Sequence, residues 1–345
     1  MITLKELAER SNVSIATVSN ILNGKTNVSE TTRKRVLKII KETGYKPNYM
    51  ARGLRASSTK TIGLIIDDIS EFSSPAIING IMEYLESKGY KTILENLRFY
   101  SKWGHGWEFT TDYKRTIEAA IEEFSIIKTD GIIYVAGHAR DISVLPLSLN
   151  IPLVISYAFT TRPDIPFIMI DDVDAAFTMT EHLIERNCRK IGLITGTPDN
   201  IHTIKRLEGY KKALEKHGIP YDETLVRTGN WYSESGYEEC KNLLQACPEL
   251  SAIFCFNDIM AAGAYKYLNE TGRIPGKDVS IAGFDNRDIS SFMTPPLTTM
   301  EIPLGTVGER AAATILEMIN GKEDFNQKIY IPCKLIDRDS VIKDK

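Results

Sequence analysis

The 345 residues include only five cysteines, an odd number with no Cys-x-x-Cys pair. That excludes a disulfide scaffold and the usual zinc ribbon, and it fits a reducing compartment in which the thiols are small buried hydrophobes. The five histidines (105, 138, 182, 202 and 217) are scattered without ligand spacing, so neither a metal nor a cofactor is expected. No apolar run approaches the roughly 18 residues of a membrane helix. The first residues carry charge by Lys5 and Glu6, so a secretory leader is not expected. A Gly-x-Gly-x-x-Gly after a strand, a phosphate-binding loop, His-Glu-x-x-His and Gly-x-Ser-x-Gly are all missing, so nothing supports an enzyme. The pairs Asp67-Asp68 and Asp171-Asp172 fit strand ends and helix caps better than paired catalytic carboxylates, because neighbours on a strand point apart. With 43% hydrophobic and 25% charged residues, a disordered chain is excluded as well.

What the sequence does have is a divided charge. The net charge of −3 hides 12 Lys and Arg against 4 Asp and Glu in residues 1–60, and 30 against 41 in the remainder. A basic head on an acidic body points to a nucleic-acid-binding module joined to a domain with another task.

The head supplies a matching pattern. Thr3-Leu4-Lys5-Glu6 has the spacing of a capping box, and Leu4, Leu7 and Ala8 share one helical face. Ser11-Asn12-Val13 interrupts the helix, and Asn12 tolerates the positive φ of a tight turn. Ser14 caps a second helix over 15–22, with Val18, Ile21 and Leu22 inward and Ile15, Ala16, Thr17 and Asn20 outward. A third helix begins at Ser29-Glu30 and stops at Gly44. Two short helices about a three-residue turn, closed by a third, describe a helix-turn-helix whose second helix fits a major groove. Asn20 suits adenine, and Ile15 and Ala16 suit thymine methyls. Thr17, Ser19, Asn23, Lys25 and the run from Arg33 to Arg35 suit phosphates.

Residues 48–60 are a short basic connector containing Gly53, too short to stand as an isolated helix. From Thr61 the texture changes to apolar runs alternating with helix-like stretches. Ile62–Ile66 ends in Asp67-Asp68, and Lys190–Ile194 echoes Thr61–Ile65. Repeated strand–helix units predict doubly wound parallel sheets, too many for one small sheet, and hence two lobes. Ligands in such folds sit off the carboxyl ends of strands, between the lobes. Polar residues there, such as Asn257-Asp258 and Asp285-Asn286, are candidate contacts, although each is also a natural helix cap. Aromatic faces beside Asn, Asp and Arg suit a sugar or a nucleobase-like ligand.

Val13–Gly24, Val28–Arg33 and Gly44–Asn48 together resemble the N-terminal signature of LacI/GalR regulators. Arg206–Tyr210, Gly229–Trp231, Phe256–Ala261, Gly283–Asp285 and Pro295–Thr299 extend the resemblance over nearly the whole chain. The resemblance implies an α/β protein with a small all-α helix-turn-helix head and two parallel-sheet lobes of the type I periplasmic-binding-protein kind. It implies a DNA-binding head at 1–47 and a hinge at 48–60. The first lobe is expected over 61–160 plus 292–325, and the second over 161–291 plus 326–345, with three crossings between them.

The expected DNA-contacting set is Thr3, Ser14, Ile15, Ala16, Thr17, Ser19, Asn20, Asn23, Lys25, Thr32, Arg33, Asn48, Ala51, Leu54 and Arg55, with Leu54 as a minor-groove wedge. The expected effector set is Phe72, Ser73, Tyr157, Arg206, Trp231, Asn257 and Asp285. The function so implied is a cytoplasmic homodimeric regulator, a repressor by class. It binds a palindromic operator in double-stranded DNA and is switched by a small molecule, sugar-like by preference. The alternatives are a corepressor-dependent regulator sensing a nucleobase, and a solute-binding receptor without a DNA role.

Departures from the family pattern are informative. Asn20 stands where many members have Arg, Tyr157 where several have Asp, and Asn12 where Gly is common. Ser70–Pro75 replaces the usual Asn-Pro-Phe loop. The aromatic stretch Phe99–Phe109, with Trp103 and Trp107, is expected to form either a rim or lid over the cleft or a surface loop or dimer contact.

Overall fold

The structure, a computed structural model, describes residues 2–22, 27–45, 58–104, 112–143, 150–322 and 326–342. It divides into two compact units, 1–59 and 60–345.

The first unit holds α1 (Leu4–Arg10), α2 (Ile15–Leu22) and α3 (Glu30–Thr43). The Thr3 hydroxyl accepts from the Glu6 amide while the Glu6 carboxylate accepts from the Thr3 amide, so the capping box forms in full. Asn12 takes φ 47° in the turn, and Gly44 ends α3 in the left-handed region at φ 62°. The Ser14 and Ser29 hydroxyls accept from the amides of Thr17 and Thr32. Leu7, Ala8, Val18, Ile21 and Val36 form a small core. Five buried side chains are a thin core, so local caps, each contributing about 1 kcal/mol, are a large part of this unit's stability.

The second unit contains two six-stranded sheets. In order along the chain it runs β1 (Thr61–Ile66), α4 (Ser74–Ser87), β2 (Lys91–Asn96), α5 (Phe99–Trp103), α6 (Asp112–Ile127), β3 (Gly131–Val135), β4 (Leu153–Ser156) and β5 (Phe167–Ile170). It continues through α7 (Asp172–Glu185), β6 (Ile191–Thr195), α8 (Ile201–Lys216), β7 (Val226–Thr228), α9 (Ser233–Ala246), β8 (Ala252–Cys255), α10 (Asp258–Glu270), β9 (Ser280–Asp285) and α11 (Asp288–Phe292). It ends with β10 (Thr298–Glu301), α12 (Leu304–Ile319), β11 (Lys328–Ile331) and β12 (Lys334–Ile336). The first sheet has the order β11-β5-β4-β3-β1-β2 and is wholly parallel. The second has the order β12-β10-β9-β8-β6-β7, parallel except for the antiparallel edge strand β12. The central strands are continuous apolar runs because helices cover both faces of each sheet.

The crossings fall later than expected. β5 belongs to the first sheet, so the first crossing lies between Ile170 and Asp172 and not near residue 160. β10 belongs to the second sheet, which moves the return to between Glu301 and Leu304 and not at 292. β11 pairs with β5, so 328–331 stay in the first lobe and only the segment from β12 onward rejoins the second. For the first two the reason is the same. A strand's apolar face must be buried before the chain can leave its sheet, and Phe167–Ile170 and Thr298–Met300 are buried. Of the five cysteines, all free, four are buried and Cys333 is half-buried. Among the described residues no helix is long and apolar enough to cross a membrane.

α4 and α12 pack with their backbones nearly touching. A Cβ on Gly80 would lie 2.1 Å from the Gly305 carbonyl oxygen, and one on Gly308 equally close to that of Ile77. Both obstacles are backbone, which cannot step aside. Gly80→Ala is therefore expected to destabilise the second unit by about 1–3 kcal/mol despite its better helix propensity. Urea unfolding checks this, and a midpoint unchanged or raised would show that the helices separate freely.

Candidate ligand cleft and DNA-reading face

On the head, α2 presents Ser14, Ile15 and Ala16 to solvent, while Thr17, Ser19 and Asn20 are partly covered. Ile15 remains 39% exposed, an apolar side chain on the outer face of a helix whose inner face carries Val18 and Ile21. Thr3 is exposed at the start of α1, and Thr32 and Arg33 lie half-buried in the first turn of α3. Asn23, Lys25, Asn48, Ala51, Leu54 and Arg55 lie outside the described residues, as does Trp107.

In the second unit all seven residues expected to bind effector line one cavity of about 690 Å³. Phe72 and Ser73 come from the turn after β1, and Tyr157 follows β4. Arg206 lies on α8, Trp231 follows β7, Asn257 follows β8 and Asp285 ends β9. The cavity thus lies at the carboxyl ends of strands of both sheets, where unpaired backbone and helix starts gather polar groups.

Its deepest feature is ionic. Arg206, 2% exposed, donates from Nε to Asp172 Oδ1 at 2.8 Å, and His202 Nδ1 lies 2.7 Å from Asp172 Oδ2. Burial works against ionising Asp172, but His202 and Arg206 outweigh it and hold the carboxyl below its ordinary range. The Arg206 guanidinium also donates to the Phe256 carbonyl and sits 3.5 Å from the Phe284 ring centroid. His202 Nε2 is buried with no partner among the described residues. In the sequence Asp172 reads as part of a strand end or helix cap, and His202 as one of several scattered histidines. Asp171 does cap α7, accepting from the Asp174 amide, but its neighbour Asp172 turns inward. The Asp67-Asp68 pair is likewise not a helix cap. Asp67 takes a bidentate pair from Arg140 at 2.5 and 2.8 Å together with the Gly137 amide, and Asp68 accepts from Ser101 and Ser70.

Several lining residues are committed to one another. Asn257 caps α10 through the Met260 amide and donates to the Trp231 carbonyl at 3.0 Å, so it fixes the tryptophan. The Trp231 ring lies against Gly196, where a Cβ would come within 1.8 Å of it. The Ser73 hydroxyl donates to the Gly137 carbonyl, closing the turn onto the loop after β3. Phe72 lies beneath the Arg287 guanidinium at 4.5 Å, a contact between the two lobes. Tyr157, Trp231 and Asp285 have φ of 64°, 72° and 107°, left-handed conformations that cost bulky residues energy and cluster at functional sites. Glu71, Tyr100 and Asn230 line the cavity from stretches singled out in the sequence, and Tyr232 and Arg287 line it without having been singled out. The aromatic stretch contributes through Tyr100. Trp103 stacks on Phe99 at 5.3 Å and is not among the residues that line the cavity. Among the described residues no group of His, Cys, Asp and Glu could hold a metal ion.

Burial pushes the Asp285 carboxyl up to about 8, opposed by Arg206, and the Asp258 carboxyl beside it up to about 7. A carboxyl raised in the folded state stabilises fully below its unfolded value near about 3.9, and that contribution is lost as pH rises through the folded value. Asp285→Asn removes this loss. Its thermal midpoint relative to the parent is therefore expected to improve from pH 5.5 to pH 8. A difference that stays constant over this range would show Asp285 ionised throughout.

The chain has clear relatives. Residues 3–48 match the bacterial regulatory proteins of the lacI family, and residues 180–341 match a periplasmic binding protein-like domain. Over 342 residues the chain is 30% identical to Catabolite control protein A of Priestia megaterium, covering 98% of this chain and 99% of the relative. Over 344 residues it is 30% identical to the HTH-type transcriptional repressor PurR of Vibrio atlanticus (strain LGP32), covering 99% of each. Among solved structures, the transcriptional regulator CelR–cellobiose complex superposes with a TM-score of 0.66 at 26% identity, covering 99% of this chain and 100% of that one. The lac repressor dimer bound to operator and the anti-inducer ONPF shares the fold, with a TM-score of 0.80 at 24% identity over 99% of each chain. With its helix-turn-helix head, its two parallel-sheet lobes and relatives matched from end to end, the chain belongs to the lacI family of DNA-binding transcriptional regulators.

Proposed function

We propose that the chain is a cytoplasmic homodimeric repressor whose paired heads read a pseudo-palindromic operator and whose cleft takes a sugar or sugar derivative that sets DNA affinity. In this reading Ile15, Ala16 and Asn20 meet base edges in the major groove. Thr3, Ser14, Thr17, Ser19, Asn23, Lys25, Thr32 and Arg33 hold the backbone. Asn48, Ala51, Leu54 and Arg55 belong to a hinge that enters the minor groove, with Leu54 as the wedge. Phe72, Ser73, Tyr157, Arg206, Trp231, Asn257 and Asp285 form the effector site. Trp231 offers a flat face to a pyranose ring, and Arg206 and Asp285 suit neighbouring hydroxyls.

The observation that carries the effector half is the convergence of Tyr157, Trp231 and Asp285, each in a left-handed backbone conformation, on a single cavity. Such conformations persist only where the surroundings enforce them, and three around one cavity favour a ligand site over a chance hollow. The buried, unpartnered His202 Nε2 in the same wall adds a polar atom suited to a ligand oxygen. The CelR complex contains cellobiose, which favours carbohydrate for this chain too.

The DNA half is tested by fluorescence anisotropy on upstream duplexes at graded salt. With several phosphates neutralised, affinity is expected to fall by about 10³-fold or more between 50 and 200 mM salt. Asn20→Ala is expected to relax preference at one base pair in each half-site by about 1–3 kcal/mol while leaving the salt slope unchanged. A shallow slope would remove the phosphate grip, and an unchanged base preference would move the readout to other side chains.

A further inference from the structure

A second cavity of about 660 Å³ lies apart from the cleft, behind the strands where the chain crosses between lobes. Its first wall is the outer edge of the first sheet. Phe159, Phe167 and Tyr330 meet edge to face there, with ring centroids 6.5 and 6.2 Å apart. The opposite wall comes from α8 of the other lobe, through Ile201 and Lys205. The volume is that of a small-molecule pocket, and the walls combine apolar area with a few charged groups at the mouth.

Its lining carries three cations, Arg162, Lys205 and Lys328, against two carboxylates, Asp171 and Asp172, a balance that favours an anion. Lys328 shares the strand face of Tyr330, two residues along β11, and is exposed. It forms no ion pair among the described residues, whereas Lys205, which lines the same cavity from α8, is paired with Glu208 at 3.0 Å. An ammonium beside a three-ring aromatic wall recognises a flat ring bearing one negative group, the ring against the wall and the charge toward Lys328. Asp172 also lines this cavity, and its oxygens already hold His202 and Arg206 of the cleft, so the two cavities share one wall.

We propose that this cavity is a second small-molecule site, taking an aromatic monocarboxylate held by the Phe159–Phe167–Tyr330 wall and Lys328. It is independent of the function proposed for the cleft.

The full chain is titrated with 2-naphthoate, followed by the fluorescence of the probe itself. Saturable binding of one probe per chain is expected. Lys328→Glu, at an exposed position that leaves the fold unstressed, is expected to weaken it about tenfold, as loss and reversal of a charge-assisted contact should. Tyr330→Ala is expected to weaken it several-fold, while Trp231→Ala in the cleft leaves it within about twofold. Circular dichroism verifies that each variant is folded. The proposal is overturned by no saturable binding at millimolar probe, by binding indifferent to both β11 variants, or by binding lost on Trp231→Ala.

Discussion

The cleft is organised around one buried carboxylate. Asp172 stands at the first crossing between lobes, at the start of α7, and holds Arg206 and His202 of α8 through its two oxygens. A guanidinium 2% exposed is tenable only with such a partner, because an uncompensated buried charge costs several kcal/mol. With Asp172 in place, Arg206 has a fixed position against the Phe284 ring and the Phe256 carbonyl. It therefore links the ends of β8 and β9 to the crossing. The carboxylate is depressed by these partners, while Asp285 nearby is raised by burial.

Around this pair the remaining cleft residues are placed by mutual restraint. Asn257 spends its side chain on capping α10 and holding the Trp231 carbonyl. Gly196 leaves room for the tryptophan ring, and Asp67 with Arg140 fixes the loop that carries Gly137 and His138 on the far side. The Phe72–Arg287 contact joins the two lobes directly. In the function proposed above, a ligand entering between them meets residues of both sheets, and that occupancy sets the lobe angle.

Much of this was legible in the sequence, for local reasons. The head's caps lie within three residues of their partners, so Thr3 with Glu6, Asn12, Ser14, Ser29 and Gly44 could be read one by one. The buried strands stood out as apolar runs. β5 was missed because four residues after a proline-rich turn carry little periodicity, and β11 because an edge strand alternates Lys, Ile, Tyr, Ile. Those two omissions, together with the placing of 292–301 in the first lobe, displaced the lobe boundaries. In the cleft, residues following strands were visible as a class, but the Asp172–His202–Arg206 cluster was not. Its members lie about 30 residues apart, and Asp172 is adjacent to an aspartate that really is a cap. Sequence proximity made the pair look like one feature, whereas the two side chains serve opposite ends.

The central claim is that occupancy of the cleft and the grip on DNA are linked. Linkage requires a ligand that changes DNA affinity to have its own affinity changed by DNA through the same factor. The most direct measurement takes a metabolite that raises the thermal midpoint of the full chain and determines its dissociation constant with and without saturating operator duplex. A shift of about fivefold or more, matched by the reciprocal shift in DNA affinity and abolished by Trp231→Ala, is the expected result. Equal ligand affinity in both states would contradict the account, leaving the head and the cleft as two devices on one chain.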